Sequence, residues 1–155
     1  MNVVRITQFK KEHSEATVKF ILGILEGEFG ITGVERPDLY RIPEVYQKGK
    51  SNFWLAIENG EVVGTAALAD YGEGRGYLKR MYVGKEFRGT GLAKNLLDTA
   101  LAFARKNGFQ EIFLGTVPEM AVANKFYQKN GFKRINELPT ALPECGDAIF
   151  YCLTL

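Results

Sequence analysis

Short stretches with alternating apolar and polar residues recur along the chain and predict β-strands. Two of them, residues 53–57 and 61–68, are separated by Glu58-Asn59-Gly60. Asn-Gly between apolar runs is typical of a β-hairpin, because both residues tolerate positive φ. Further strands are predicted at residues 3–9, 77–83, 112–117, 132–135 and 148–155.

Other stretches place apolar residues at helical spacing. Residues 13–29 carry Val18, Ile21, Leu22 and Leu25 at this spacing and predict one helix, and a second, short helix is expected after Pro37, interrupted or restarted at Pro43. Residues 92–106 predict the longest helix, closed by Asn107-Gly108, and residues 121–129 predict a helix closed by Asn130-Gly131.

The order of these elements is β, α, α, β, β, β, α, β, α, β, β, which combines a hairpin-rich first half with a later βαβ crossover. We therefore expect a mixed sheet in one domain covering residues 1–155. In strand 77–83, regular alternation would place Leu78, Arg80 and Tyr82 on one face, and Lys79, Met81 and Val83 on the other.

Composition narrows the classes of partner. Hydrophobic residues make up 46% and charged residues 25% of the chain, as in ordinary globular proteins. The net charge of +2 argues against nucleic acid or an anionic membrane as the main partner. Apolar runs are shorter than a bilayer span and the first residues lack a signal-peptide pattern, so we expect a cytoplasmic protein.

Metal and disulfide chemistry are not expected. The chain contains two cysteines, Cys145 and Cys152, and a single histidine, His13. These residues form no cluster with ligand spacing, and two cysteines do not make a disulfide framework. The sequence therefore predicts no metal.

The segment Arg88-Gly89-Thr90-Gly91-Leu92-Ala93 lies between a predicted strand and the longest predicted helix. The unpaired N–H groups and positive dipole end of such a helix favour a phosphate, and glycines let the backbone approach it closely. The segment lacks the Lys-Ser/Thr pair of a P-loop and does not match the G-x-G-x-x-G dinucleotide fingerprint. A different nucleotide-like anion is therefore expected.

Two motifs resemble signatures of the GNAT superfamily of N-acetyltransferases. Leu78-Lys79-Arg80-Met81-Tyr82-Val83, followed by residues 85–93, is similar to its acetyl-CoA motif, with Arg88, Gly91 and Ala93 as the anchors of the pyrophosphate loop. Residues 123–132 resemble the second signature, a helix carrying a Tyr four residues before Gly-Phe. The two motifs occur in the order that the family has.

The resemblance implies an α/β GNAT fold, with a central mixed, mostly antiparallel twisted sheet of about six or seven strands flanked by about four helices. It also implies acetyl-CoA as the co-substrate. Tyr127 would act as general acid near the sulfur of coenzyme A. The implied cofactor-binding residues are Met81, Tyr82, Val83, Arg88, Gly89, Thr90, Gly91, Leu92, Ala93, Asn124 and Tyr127.

Two positions depart from the family pattern. Met120 stands where many members carry an Asn, and Asn124 lies on a different helical face, so the role of that Asn is not transferred to it. Tyr77 stands where many members carry a Glu that acts as the general base or holds its water. Glu119 and Glu28 are candidate replacements acting through water, although both are equally compatible with solvated surface carboxylates.

The expected function is transfer of acetyl from acetyl-CoA to the primary amine of a small molecule or peptide. The missing Glu leaves open a second function, a non-catalytic module that binds or senses acyl-CoA. Neither nucleic acid nor membrane is an expected partner, and a homodimer is left open.

Overall fold

Seven strands in the described residues form one sheet with the order β1-β2-β3-β4-β5-β7-β6. The structure is a computed structural model, and it describes residues 3–139 and 149–155. The strands are β1 Arg5–Gln8, β2 Asn52–Glu58, β3 Glu61–Asp70, β4 Arg75–Val83, β5 Glu111–Thr116, β6 Lys133–Ile135 and β7 Ile149–Thr154. The expected mixed sheet is confirmed, and the hairpin turns at Asn59 and Gly60, both with positive φ.

Four α-helices flank the sheet: α1 Ser14–Leu22, α2 Ile42–Tyr46, α3 Leu92–Lys106 and α4 Ala121–Lys129. The helical stretch predicted for residues 13–29 is confirmed, but it is not one regular α-helix, because α1 follows a 3-10 turn at Lys11–His13 and continues as a π-helix at Gly23–Glu28. The region after Pro37 also divides, into a 3-10 helix at Pro37–Tyr40 and α2. None of the described helices is long and apolar enough to cross a bilayer.

The two central strands, β4 and β5, are paired over a short distance. They are parallel, and their register joins Arg75 with Glu111, Gly76 with Ile112 and Tyr77 with Phe113. All other neighbours in the sheet are antiparallel. Beyond these pairs the strands separate, so residues 78–83 of β4 and 114–116 of β5 form the two rims of an opening that we call the splay.

Each face of the sheet has its own apolar core. Helices α3 and α4 cover one face, where Leu96, Leu97, Ala100 and Tyr127 pack against the strands. Helix α1, the π-helix and α2 cover the other face through Ile21, Leu25, Leu39, Ile42 and Tyr46. The splay therefore connects two separate layers of helices across the sheet.

A β-bulge at Arg80 overturns the expected alternation in β4. Ala67 pairs with Lys79 and Thr65 with Tyr82, so two steps along β3 correspond to three along β4. Because the extra residue shifts the side-chain alternation by one position, Leu78, Met81 and Val83 all pack in the α3 core, and Tyr82 packs in the α1 core. The placement of Arg80 and Tyr82 with Leu78 on one face was therefore wrong.

Gly115 on β5 lies directly under the Tyr77 side chain. A Cβ built at Gly115 would come 2.7 Å from the Tyr77 phenol oxygen, which is closer than carbon and oxygen approach without a shift. Only glycine fits opposite this tyrosine. The two residues therefore constrain one another at the point where β4 and β5 separate.

We predict that Gly115→Ala destabilises the fold by about 1 kcal/mol, because the buried Tyr77 side chain must shift to make room for the new methyl group, although Gly115 itself is exposed. The loss should be smaller in a Tyr77→Phe background, because the clashing oxygen is then absent. Gly23→Ala is the control, since no atom lies within 4 Å of a Cβ built there. Chemical denaturation of the wild type, the two single variants and the double variant measures the coupling between positions 77 and 115. Equal losses of stability from Gly115→Ala in the wild-type and Tyr77→Phe backgrounds would contradict the packing account.

Candidate functional site

The turn before α3 presents an anion site made of backbone. Gly91 is the N-cap of α3 with φ 89°, and Gly89 has φ 78°. The first intrahelical bond runs from the Asn95 amide to the Gly91 carbonyl, at 3.0 Å. The first turn of α3 has no side-chain cap and no acidic residue. The Thr90 amide donates to the Phe87 carbonyl at 3.3 Å, so the amides left for an anion on the exposed side of this turn are those of residues 91–94 and of Gly89.

The side chain of Arg88 is exposed at the surface, but its guanidinium is paired with groups of the protein. Its guanidinium forms a two-pronged ion pair with Glu28, in which Nη2 donates to Oε2 at 2.6 Å and Nη1 donates to Oε1. Nε and Nη2 also donate to the Val83 carbonyl, each at 3.2 Å. Four N–H groups of the guanidinium are thereby used, and its charge is balanced by a carboxylate.

This ion pair changes the expected roles of both partners. Hydrogen bonding to Arg88 lowers the pKa of Glu28, which makes its carboxylate a weaker base. The pairing of Arg88 leaves little of its guanidinium for a phosphate and instead ties the glycine turn to the π-helix and to the end of β4. Both assignments stay predictions, and the contacts favour a loop-shaping role for Arg88.

The other predicted loop residues lie on the turn before α3 and at its start. Gly89, Thr90 and Gly91 are exposed, Ala93 is half-buried, and Leu92 is buried in the α3 core. The Thr90 hydroxyl donates to the Phe87 carbonyl, so it stabilises the turn from inside. These residues form the wall of the anion site through their backbone.

Met81, Tyr82 and Val83 form the β4 rim of the splay. All three are half-buried. Their strand pairs with β3 on one side, while pairing with β5 ends at Tyr77. A ligand arm that carries amide groups can hydrogen-bond to such an open strand edge, as an added strand would.

Tyr127 of α4 is buried among the aromatic rings of Phe126, Phe132 and Tyr151, with 7% of its surface exposed. Burial is the larger of two causes that raise the pKa of the Tyr127 phenol above its ordinary value, and the charge of the nearby Tyr82 is the smaller. The phenol therefore keeps its proton through the neutral range. Its hydroxyl has no hydrogen-bond partner among the described residues, so it is an available donor.

The side chain of Asn124 forms its hydrogen bonds within the protein. Its amide nitrogen donates to the carbonyls of Val117 at 3.0 Å and Met120 at 2.8 Å, and its oxygen accepts from the Tyr151 hydroxyl at 3.0 Å. These bonds fix the turn between β5 and α4. In this arrangement Asn124 would support a cofactor site by holding the turn, and direct contact stays a prediction.

The remaining candidates are scattered. Glu119 is exposed on the turn before α4, away from the buried phenol of Tyr127. Cys145 lies outside the described residues, and Cys152 is half-buried on β7 with its thiol near the Glu111 carboxylate. The described part of the chain contains no group of histidine, cysteine and acidic residues that could hold a metal ion.

Sequence reasoning missed Thr116, the last residue of β5. Its side chain is buried, and its hydroxyl has no hydrogen-bond partner in the described residues. By strand alternation it shares the face of Leu114, which packs in the α3 core. A threonine in an apolar strand gives no signal of this kind, because the unsatisfied hydroxyl depends on how the neighbouring strands and α4 pack.

The chain is similar in sequence and in fold to known proteins. Residues 19–132 match the Acetyltransferase (GNAT) family. An acetyltransferase of the GNAT family from Staphylococcus aureus Mu50 is 32% identical, with a TM-score of 0.92, and the match covers 98% of this chain and 99% of that one. YjgM of Escherichia coli K12, an uncharacterized N-acetyltransferase, is 31% identical over 120 residues, which are 72% of each chain.

A longer protein is also similar in sequence over part of its length. The N-acetylaspartate synthetase of Danio rerio is 36% identical over 102 residues, which are 64% of this chain and 36% of that protein. The present chain therefore spans little more than a third of the length of that relative.

We predict that Glu28→Gln weakens binding of coenzyme A about fivefold, since the neutral amide gives up roughly 1 kcal/mol of pairing that holds Arg88 and the glycine turn. Glu26→Gln is the control, because Glu26 is an exposed carboxylate on the same π-helix. Isothermal titration calorimetry measures both variants. Tighter binding by Glu28→Gln would contradict the prediction and would mean that Glu28 competes with phosphate for Arg88.

Proposed function

The chain belongs to the Acetyltransferase (GNAT) family, and on that premise we propose that it transfers the acetyl group of acetyl-CoA to a primary amine. The observation that carries the proposal is the position of the splay beside an uncapped, glycine-led helix N-terminus. One ligand with a diphosphate at one end and an amide-containing arm at the other can occupy both the helix N-terminus and the splay.

In this proposal the diphosphate of acetyl-CoA binds the amides of residues 91–94 and of Gly89, where the α3 dipole is positive. Arg88 supports them by fixing the turn. The pantetheine arm then runs along Met81, Tyr82 and Val83 and hydrogen-bonds to the open edge of β4. This course brings the thioester into the splay on the α4 side, where Tyr127 lies.

The amine reaches the thioester from the other face of the sheet, through the layer that contains the π-helix and α2. Its nitrogen attacks the carbonyl carbon, the carbon–sulfur bond breaks, and the departing thiolate takes a proton. Tyr127 is suited to donate at the sulfur, because its phenol is protonated at neutral pH and otherwise unpartnered in the described residues. The raised pKa makes full proton transfer to a thiolate, whose conjugate acid has a pKa of about 8.5, uphill even when the charge on sulfur is complete. Tyr127 would therefore act mainly by donating a hydrogen bond to the departing sulfur.

The proton of the amine needs a separate acceptor. Glu28 is a poor one while Arg88 lowers its pKa, and Glu119 is exposed to solvent. Both stay candidates that would act through water. A water chain that enters from the acceptor face would serve the same purpose without a dedicated carboxylate at position 77.

The acceptor is a small-molecule or peptide amine. N-acetylaspartate synthetases among the relatives make amino acids the first class to test. We place the reaction in the cytoplasm, without a metal, with no role for nucleic acid or membrane, and with a homodimer as one assembly to measure.

A thiol-release assay tests the proposal. The protein is mixed with acetyl-CoA and a panel of amino acids, polyamines, aminoglycosides and peptide N-termini. Amine-dependent release of coenzyme A above the rate without amine supports the enzyme. Calorimetric binding of acetyl-CoA without release of coenzyme A for any amine would favour the second candidate function, a non-catalytic acyl-CoA-binding module. The observation that favours this candidate is Tyr77, which stands where many family members carry a Glu.

We predict that Gly91→Ala weakens coenzyme A binding at least about tenfold, because the helix start then resists φ 89° and a methyl group faces the phosphate. Gly49→Ala is a matched control, since Gly49 also has positive φ and open space around its Cβ position. Calorimetry compares the two. Similar melting temperatures and similar affinities would rule out the assigned loop.

We predict that Tyr127→Phe lowers kcat about a hundredfold and leaves the Kd for acetyl-CoA nearly unchanged, because the ring stays and the proton donor is lost. Its melting temperature should be equal or higher, since the hydroxyl has no partner to lose in the described residues. Steady-state kinetics and calorimetry together test the role. Full activity in the Phe variant would make Tyr127 a packing residue.

A further inference from the structure

Arg80 occupies a backbone conformation that is unfavourable for its side chain. Its φ is +52°, which places a non-glycine residue in the left-handed region. It lies at the bulge in β4, between the last residue paired with β5, Tyr77, and the rim residues Met81 to Val83. Strained backbone of this kind persists when surrounding contacts determine it.

Three contacts hold Arg80 in place. Its guanidinium donates to both carboxylate oxygens of Asp38, from Nε at 2.9 Å and from Nη2 at 2.8 Å. The Tyr46 hydroxyl donates to the same carboxylate at 2.7 Å. The Thr65 hydroxyl donates to the Arg80 carbonyl at 2.7 Å. The side chain of the bulged residue is thus fixed from the connection before α2, and its backbone from the neighbouring strand β3.

The ion pair is largely removed from water. The side chains of Arg80 and Asp38 are 14% and 21% exposed. Burial alone would raise the pKa of Asp38, but the hydrogen bonds from Arg80 and Tyr46 outweigh it and lower the pKa. A buried ion pair is a poor way to gain stability compared with apolar packing, so its value lies in the geometry that it imposes.

The bulge at Arg80 determines which face of the sheet each residue of the β4 rim points to. The bulge turns Met81 and Val83 toward α3 and Tyr82 toward α1. If β4 slipped into regular pairing, each of these residues would face the opposite side of the sheet. The edge presented to a ligand arm in the splay would change with them.

We propose that Asp38, supported by Tyr46, is a positioning residue that locks the Arg80 bulge and thereby sets the register of Met81 to Val83 against the acyl-CoA arm. The inference rests on the proposed function, because the arm is that of acetyl-CoA. Asp38 lies in the connection between the π-helix and α2, so the lock also fixes the acceptor-side layer to the cofactor strand.

The experiment compares Asp38→Asn with Glu73→Gln, a control that removes a carboxylate from an exposed ion pair with Arg75. Amide hydrogen exchange of residues 80–83 in the free protein and kcat/KM for acetyl-CoA are measured well below the melting temperatures. Asp38→Asn should speed exchange at these amides and lower kcat/KM on the order of tenfold, as small misplacements in a site do. Glu73→Gln should change neither.

Two further variants keep the test decisive. Asp38→Asn combined with Arg80→Gly should recover most of the loss, because glycine adopts positive φ without a lock and no buried charge is left unpaired. Tyr46→Phe keeps the ion pair between Asp38 and Arg80 and should lower kcat/KM by less than Asp38→Asn does. It takes the place of Asp38→Asn in the test if that variant fails to fold. Unchanged exchange and kcat/KM in a folded Asp38→Asn, or no recovery in the double variant, would overturn the inference. Absence of turnover in the wild type would instead refute the proposed function.

Discussion

The short parallel pairing of β4 and β5 is the constraint on which the other features depend. Three residue pairs join the strands, and the bulge and the Tyr77–Gly115 contact lie just where they separate. Separation leaves a strand edge unpaired in the middle of a sheet, where backbone N–H and C=O groups need partners. A ligand with amide groups would meet that need, so the binding proposed for this opening rests on its backbone rather than on any one side chain.

Two ion pairs preserve this opening from the same side. Glu28 pairs with Arg88 just beyond β4, and Asp38 pairs with Arg80 within it. Both carboxylates belong to the connection between α1 and β2. This connection is therefore attached at two points, to β4 through Arg80 and to the turn after β4 through Arg88.

The sequence predicted the elements whose signals are local. The Asn59-Gly60 turn, the apolar stripe of α3 and the bounds of α4 follow from turn chemistry and helical spacing. The bulge at Arg80 could not be predicted, because its conformation depends on Asp38, forty-two residues away. The same holds for Glu28 and Arg88, sixty residues apart, and for the buried hydroxyl of Thr116. These contacts form only when separate layers pack together.

The central claim is that the splay and the glycine-led start of α3 hold one acyl-CoA molecule. A crystal structure of the chain with coenzyme A tests it most directly. The account predicts the diphosphate within hydrogen-bonding distance of the amides of residues 91–94 and of Gly89, and the thiol end between β4 and β5 near Tyr127. A diphosphate bound elsewhere, or a thiol end outside the splay, would contradict it.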